Sequence, residues 1–165
     1  MTGKMSAPED RIAQLESRIS LLEDRLAILD LIASYGPAVD GMDGGALAAM
    51  WGENGSYDFG GDPLVGRENV AALIDLDTHR AYVSAGSAHV LSNPRITLEG
   101  DRAVVVNYSQ VFTKAGDGWR TDRTCANRWE LRRTADGWKV ESRTNRLLDG
   151  SEEARLLLGG RHSLR

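Results

Sequence analysis

The sequence predicts an α+β fold, a cone-shaped barrel in which a curved antiparallel β-sheet packs against three N-terminal helices. Two patterns carry that expectation. Apolar residues spaced three and four apart dominate the first half, and four long alternating runs separated by Gly-Asp turn signals fill the second. Size is the third observation: 165 residues, 41% hydrophobic and 27% charged, suit one folded domain with a single core.

The first helix is expected from Ser6 to about Val39. Ser6 with Glu9 three residues later forms a capping box, which satisfies N–H groups left open at the first turn. Ile12, Leu15, Ile19, Leu22, Leu26 and Leu29 then alternate steps of three and four, the spacing of a coiled-coil seam. Charged residues fill the positions between them, so this stripe needs cover from its own domain or from a sister chain. Asp43-Gly-Gly45 breaks the pattern, Ala46 to Trp51 forms a short second helix, and Gly55 to Gly60 reads as a brief strand. A turn-rich stretch through Gly66 leads into a third amphipathic helix, Arg67 to about Leu76, with Val70, Leu73 and Ile74 on its apolar side. The four extended runs follow at Val90–Leu98, Ala103–Thr113, Trp119–Arg133 and Trp138–Leu147. The segment Glu152 to Leu158 is a short helical piece before a basic, Gly-containing end. The expected division is an N-terminal helical extension over 1–24, an α+β barrel over 25–150 and a tail over 151–165.

Charge narrows the function classes. Twenty Lys and Arg against 24 Asp and Glu leave a net charge of -4, which disfavours nucleic acid as a partner because phosphate binding needs clustered positive charge. The single cysteine, Cys125, cannot form an internal disulfide or a Cys-based zinc site and suits a reducing compartment. No apolar run approaches a membrane span and the N-terminus lacks an apolar signal core, so a cytoplasmic, non-membrane protein is expected. Phosphate-loop, dinucleotide and nucleophile-elbow motifs are all missing, and His79, His89 and His162 have no metal-ligand spacing. No cofactor and no metal are expected.

Strand parity selects the inward side chains, since residues two apart point the same way. Cys125, Asn127, Trp129 and Leu131 form the expected inner face of their strand, opposite Arg128, Glu130 and Arg132. Trp138, Val140 and Ser142 share a face of the last strand by the same logic. His89, in Ser87-Ala-His89-Val-Leu, is the one histidine placed inside a core-like element. Asp40 stands at the end of the first helix, where the apolar pattern would otherwise continue inward. Were the two to meet, the carboxylate would fix the imidazole tautomer and leave the other ring nitrogen as a base. Tyr35 and Tyr57 supply hydroxyls nearby, and Tyr57 and Asp58, as strand neighbours, cannot both face one cavity.

The ordered series Ile28–Tyr35, Val39-Asp40-Gly-Met-Asp43, Ala49-Met-Trp51, Ser56-Tyr57-Asp58, Gly66-Arg67, Ala88-His89 and Asp136-Gly-Trp138 resembles the SnoaL-like branch of the nuclear transport factor 2-like superfamily over about residues 25 to 148. Within it the chain looks most like the scytalone dehydratase, bile acid 7α-dehydratase and hexachlorocyclohexane dehydrochlorinase families, which use an Asp-His dyad without metal or organic cofactor. The resemblance places that dyad on Asp40 and His89 and pocket tyrosines on Tyr35 and Tyr57. It puts the last-strand arginine of the dehydrochlorinase at Arg143 or Arg146. A looser likeness to ketosteroid isomerase puts a base near Asp58 and an oxyanion-side residue near Asn127. The second pocket histidine of scytalone dehydratase would fall within 107–113, where this chain has none.

The expected function is therefore a cofactor-independent, dehydratase-type lyase acting on a small hydrophobic cyclic substrate such as a steroid or polyketide. Asp40, His89, Tyr35 and Tyr57 are the expected catalytic residues, with Trp51, Asp58, Asn127 and Trp129 binding substrate. The alternatives are an isomerase or cyclase, with Asp58 as base, and a non-catalytic ligand-binding protein. A homo-oligomer is expected, with the dehydratase resemblance implying a trimer and the wider superfamily a dimer.

Overall fold

The computed structural model describes residues 7–159. Helix α1 runs from Ala7 to Asp40 and α2 from Gly44 to Met50. Asp43 caps α2 by accepting a hydrogen bond from the Ala46 N–H at 2.8 Å, which fixes the turn between the two helices. Strands β1 (Trp51–Asp58) and β2 (Leu64–Val65) follow. Then come α3 (Arg67–Ala71), a 3-10 turn (Ala72–Asp75) and α4 (Asp77–Ala85). The rest of the sheet comprises β3 (Ser87–Leu91), β4 (Arg95–Glu99), β5 (Arg102–Ala115), β6 (Gly118–Thr134) and β7 (Gly137–Leu147), and α5 (Glu152–Gly159) closes the described chain. Ser6 of the expected capping box, and His162 with the basic end, lie outside the described residues.

The expected α+β architecture is present as one curved sheet of seven strands ordered β2-β1-β7-β6-β5-β3, with β4 also pairing with β5. Long antiparallel ladders join β5 to β6 and β6 to β7, turned at Gly116 (φ 56°) and Gly137 (φ 92°), conformations that favour glycine. One pairing is parallel, β1 beside β7, because the helical segment α3–α4 intervenes before β3 and returns the chain to the far edge.

Several expected boundaries move. Val90–Leu98 is two strands, since Pro94 cannot donate to a ladder and the chain breaks between Leu91 and Arg95. The third helix ends at Ala71 and tightens into a 3-10 turn. A fourth helix, α4, was not expected; Gly86 (φ 93°) stops it with its N–H on the Val83 carbonyl.

The body-facing side of α1 is also a different stripe from the one its seam spacing suggested. Ile28, Ile32, Tyr35 and Val39 are buried, whereas Ile12 (55% exposed), Leu22 (60%) and Leu26 (61%) face outward. Asp24 is the first buried residue of the described helix and ties it to the sheet, accepting from Trp138 Nε1 at 3.1 Å and pairing with Arg133. That pairing holds the Asp24 carboxyl below its ordinary range, despite partial burial. The core lies between the C-terminal half of α1, α2, α3 and the concave face of the sheet, with Trp51, Trp129, Leu131 and Val140 at its centre.

Candidate active site

Gly36 sets the distance between α1 and β3. A side-chain carbon on Gly36 would lie 2.2 Å from the His89 carbonyl oxygen, so only glycine lets the helix approach the strand this closely. One turn later Asp40 reaches the same strand and is held from three directions. The Ser87 hydroxyl donates to Oδ1 at 3.0 Å and the His89 backbone N–H to Oδ2 at 2.6 Å, while His89 Nδ1 meets Oδ1 at 2.7 Å. Burial pushes the Asp40 carboxyl up, but the hydrogen bonds from the His89 ring and backbone, with that ring's charge and Ser87, outweigh it and hold the group below its ordinary range. An ionised carboxylate can only accept, so Nδ1 carries the proton and the lone pair of a neutral His89 sits on Nε2.

His89 lines a cavity of about 120 Å³. Tyr35, Tyr57, His79, Arg143 and Asn145 share its wall, with Phe59, Leu73, Leu76, Leu91 and Val111 giving it an apolar lining. Burial, opposed by the Arg143 charge and reinforced by the neighbouring Tyr35 hydroxyl, pushes the Tyr57 phenol far above its ordinary range.

Arg143 crosses the floor. It is 2% exposed and stacks between the faces of Tyr35 (4.1 Å), Trp129 (4.1 Å) and Tyr57 (4.4 Å). Its Nε and Nη2 donate to Asn127 Oδ1 at 3.1 and 2.8 Å, and the Asn145 amide donates to the same oxygen at 2.8 Å. Asn127 Nδ2 passes the chain of bonds to the Ser109 hydroxyl at 2.9 Å. Arg143 Nη1 is buried with no partner among the described residues. A guanidinium without a carboxylate partner and with one amino group open is a donor prepared for negative charge.

The structure thus places His89, Tyr35 and Tyr57 on one cavity wall, with Asp40 behind His89, and puts the four other sequence candidates elsewhere. Trp51, Asn127 and Trp129 are 1%, 0% and 0% exposed and stand behind the wall. Asn127 is a satisfied core amide that orients Arg143, and Trp129 donates its indole N–H to Asn107 Oδ1 at 3.0 Å. Asp58 lies outside the cavity lining, because alternation with Tyr57 turns it away. It binds Arg146 through both oxygens at 2.8 and 2.7 Å, and that pairing holds its carboxyl below the ordinary range.

Helix and strand patterns missed three wall residues, although the family resemblance offered Arg143 as one of two last-strand arginines. His79 belongs to the unexpected α4; its ring centre is 5.5 Å from that of His89, so a second histidine is close in space though ten residues away in sequence. Its Nε2 donates to the Val39 carbonyl at 2.8 Å, leaving Nδ1 as the lone-pair nitrogen of a neutral ring. The spacing Leu76, His79, Tyr82, closed by Gly86, was the available signal. Arg143 and Asn145 were missed for another reason. In the β6–β7 ladder Glu130 pairs with Ser142 but Leu131 with Val140, so Glu141 is an extra residue and parity reverses there. Trp138 and Val140 point inward as expected; beyond the bulge the inward set is Arg143 and Asn145, and Ser142 leaves it. A similar bulge at Asp122 of β6 falls next to Arg123, which also lines the cavity.

Comparisons with known proteins agree with this architecture. A SnoaL-like domain family matches residues 20–144. An NTF2-like protein with a cystatin-like fold from Novosphingobium aromaticivorans is 43% identical, with a TM-score of 0.86 over 94% of this chain and 99% of that one. A candidate aromatic ring hydroxylase from the same species is 31% identical, with a TM-score of 0.63 over 77% of this chain and 90% of its own. Hexachlorocyclohexane dehydrochlorinase from Novosphingobium barchaimii shares the fold at 19% identity, with a TM-score of 0.69 over 79% and 90% of the two chains. No curated protein matches.

Proposed function

The chain belongs to the SnoaL-like domain family, and on that premise we propose that it is a cofactor-independent lyase that eliminates water or a comparable leaving group from a small cyclic substrate. The observation that carries this reading is the 2.7 Å contact between Asp40 and His89 Nδ1 at the wall of an apolar cavity. His89 Nε2 takes a proton from a carbon made acidic by an adjacent carbonyl, and the electron pair left behind expels the group on the neighbouring carbon. Asp40 orients the ring and stabilises the imidazolium as it forms. A base positioned in this way contributes about 10² to 10⁴ in rate.

Negative charge grows on the carbonyl oxygen and on the departing atom, and the Arg143 guanidinium and the Tyr57 and Tyr35 hydroxyls on the cavity wall are the donors for it. This gives Arg143, rather than Arg146, the part that the dehydrochlorinase resemblance assigns to a last-strand arginine; Arg146 is occupied by Asp58 and Glu153. Volume bears on the substrate. Ligand sites commonly span about 300–1,000 Å³, so a cavity of about 120 Å³ favours one ring over a four-ring steroid. The ion pair to Arg146 speaks against Asp58 as the base of an isomerase.

We also propose a homo-oligomer, a trimer by the dehydratase resemblance, since its own domain leaves the Ile12, Leu15, Ile19, Leu22 and Leu26 stripe exposed. Among the described residues no helix is long and apolar enough to cross a membrane.

The test is turnover on single-ring β-hydroxy ketones, followed by the ultraviolet absorbance of the conjugated product. The wild-type protein should form it, and His89→Gln should be at least about 100-fold slower with an unchanged melting temperature. Equal rates in the two proteins would refute the elimination mechanism.

A further inference from the structure

The cavity wall holds two guanidiniums and not one carboxylate. Arg143 is the first, with Nη1 unpartnered. Arg123 is the second: it is half-buried at the wall and makes no hydrogen bond or ion pair among the described residues. Its chain neighbour Asp122, the extra residue of the β6 bulge, pairs instead with Arg120 at 3.0 Å. Asp40 stands behind His89 and is engaged by the ring and backbone of that residue and by Ser87. Both arginines and Tyr57 line the same cavity.

This surplus of positive charge runs against a chain whose net charge is -4. A half-buried guanidinium without a counter-ion, as Arg123 is, keeps part of its hydration and has donors free for a negative charge that enters the cavity. The proposed elimination accounts for one of the two, since it assigns Arg143 to charge that develops only during reaction. Arg123 is left over. Its free donors suit a charge that a substrate carries permanently.

We propose that the substrate is a small cyclic carboxylic acid whose carboxylate is bound by Arg123 while its ring occupies the apolar wall between Phe59 and Leu91. This rests on the lyase reading only for the separate duty given to Arg143. A planar guanidinium meets a carboxylate through two parallel hydrogen bonds, which would fix the ring's angle toward His89 as well as its presence.

The test needs no turnover. Benzoate and benzamide are nearly equal in shape and differ in charge, and their binding to the full chain can be followed by ligand-observed NMR titration. Wild type should bind benzoate about tenfold more tightly than benzamide, the size of one charge-assisted hydrogen-bond pair. Raising the salt concentration should weaken benzoate and leave benzamide unchanged. Arg123→Gln should abolish the preference, and Arg123→Lys should keep part of it. His89→Gln should retain it in full, which separates this proposal from the elimination mechanism. Equal binding of acid and amide by wild type, or an undiminished preference in a folded Arg123→Gln, would overturn the assignment, even were His89→Gln inactive.

Discussion

Gly36 lies directly against the carbonyl of His89, close enough that a methyl group on it would meet that oxygen at 2.2 Å. Helix and strand therefore touch backbone to backbone, and the Asp40–His89 hydrogen bond one turn away depends on that approach. Gly36→Ala must push α1 outward. The expected result is a clear drop in melting temperature, in the range of about 1–3 kcal/mol for an overpacked core site, together with a loss of elimination activity like that of His89→Gln. A crystal structure of the variant should show the 2.7 Å contact lengthened; unchanged stability and activity would mean that the helix seat is softer than it looks.

Asp40 gives a pH dependence of known sign. Its folded-state carboxyl is held below the ordinary value of about 3.9, so the folded protein binds a proton there less readily than the unfolded chain. The resulting stabilisation is complete above the unfolded value and disappears as pH falls through the folded one. Melting curves of wild type and Asp40→Asn should differ most at neutral pH and converge below about pH 4. A gap that widened with acid would contradict the origin given for the shift.

Asp58→Asn separates the base assignments. The Asp58–Arg146 pair is partly open to solvent, with side chains 32% and 18% exposed, and Arg146 retains Glu153 as a partner. The expected stability cost is under about 1 kcal/mol, and elimination activity should stay near wild type. Loss of turnover with intact folding would restore Asp58 to the chemistry.

The projecting part of α1 makes a prediction about assembly. Sedimentation velocity should give wild type a mass above one chain. Replacing Leu15 and Leu22, 41% and 60% exposed, by Glu should return it to one chain without altering its melting curve at low concentration. A wild-type monomer at high concentration would leave the stripe without the proposed use.

These contrasts also show which features were legible in the sequence. Pattern periods revealed helices before strands and the inner face of β6 from Cys125 to Leu131, because those segments obey one period throughout. Tyr57 and Asp58 were sorted to opposite sides by strand alternation alone. Legibility ended where a period is interrupted. Parity set Trp138, Val140 and Ser142 on one face of the last strand, and only the ladder shows that Glu141 is unpaired and Arg143 is turned inward. On α1 the more regular stripe was the exposed one, since coiled-coil spacing describes what could pack and not what it packs against. His79 was obscured because α4 is short and its partners, Val39 and His89, are distant in the chain.

The extra residue at Glu141 has an implication for how such a pocket can change over time. Arg143 and Asn145 keep their inward places beside Val140 only because one residue is skipped, so loss of Glu141 would straighten the strand and leave both facing the cavity. Relatives differing by one residue in this hairpin should therefore be compared by ladder position, never by column alone.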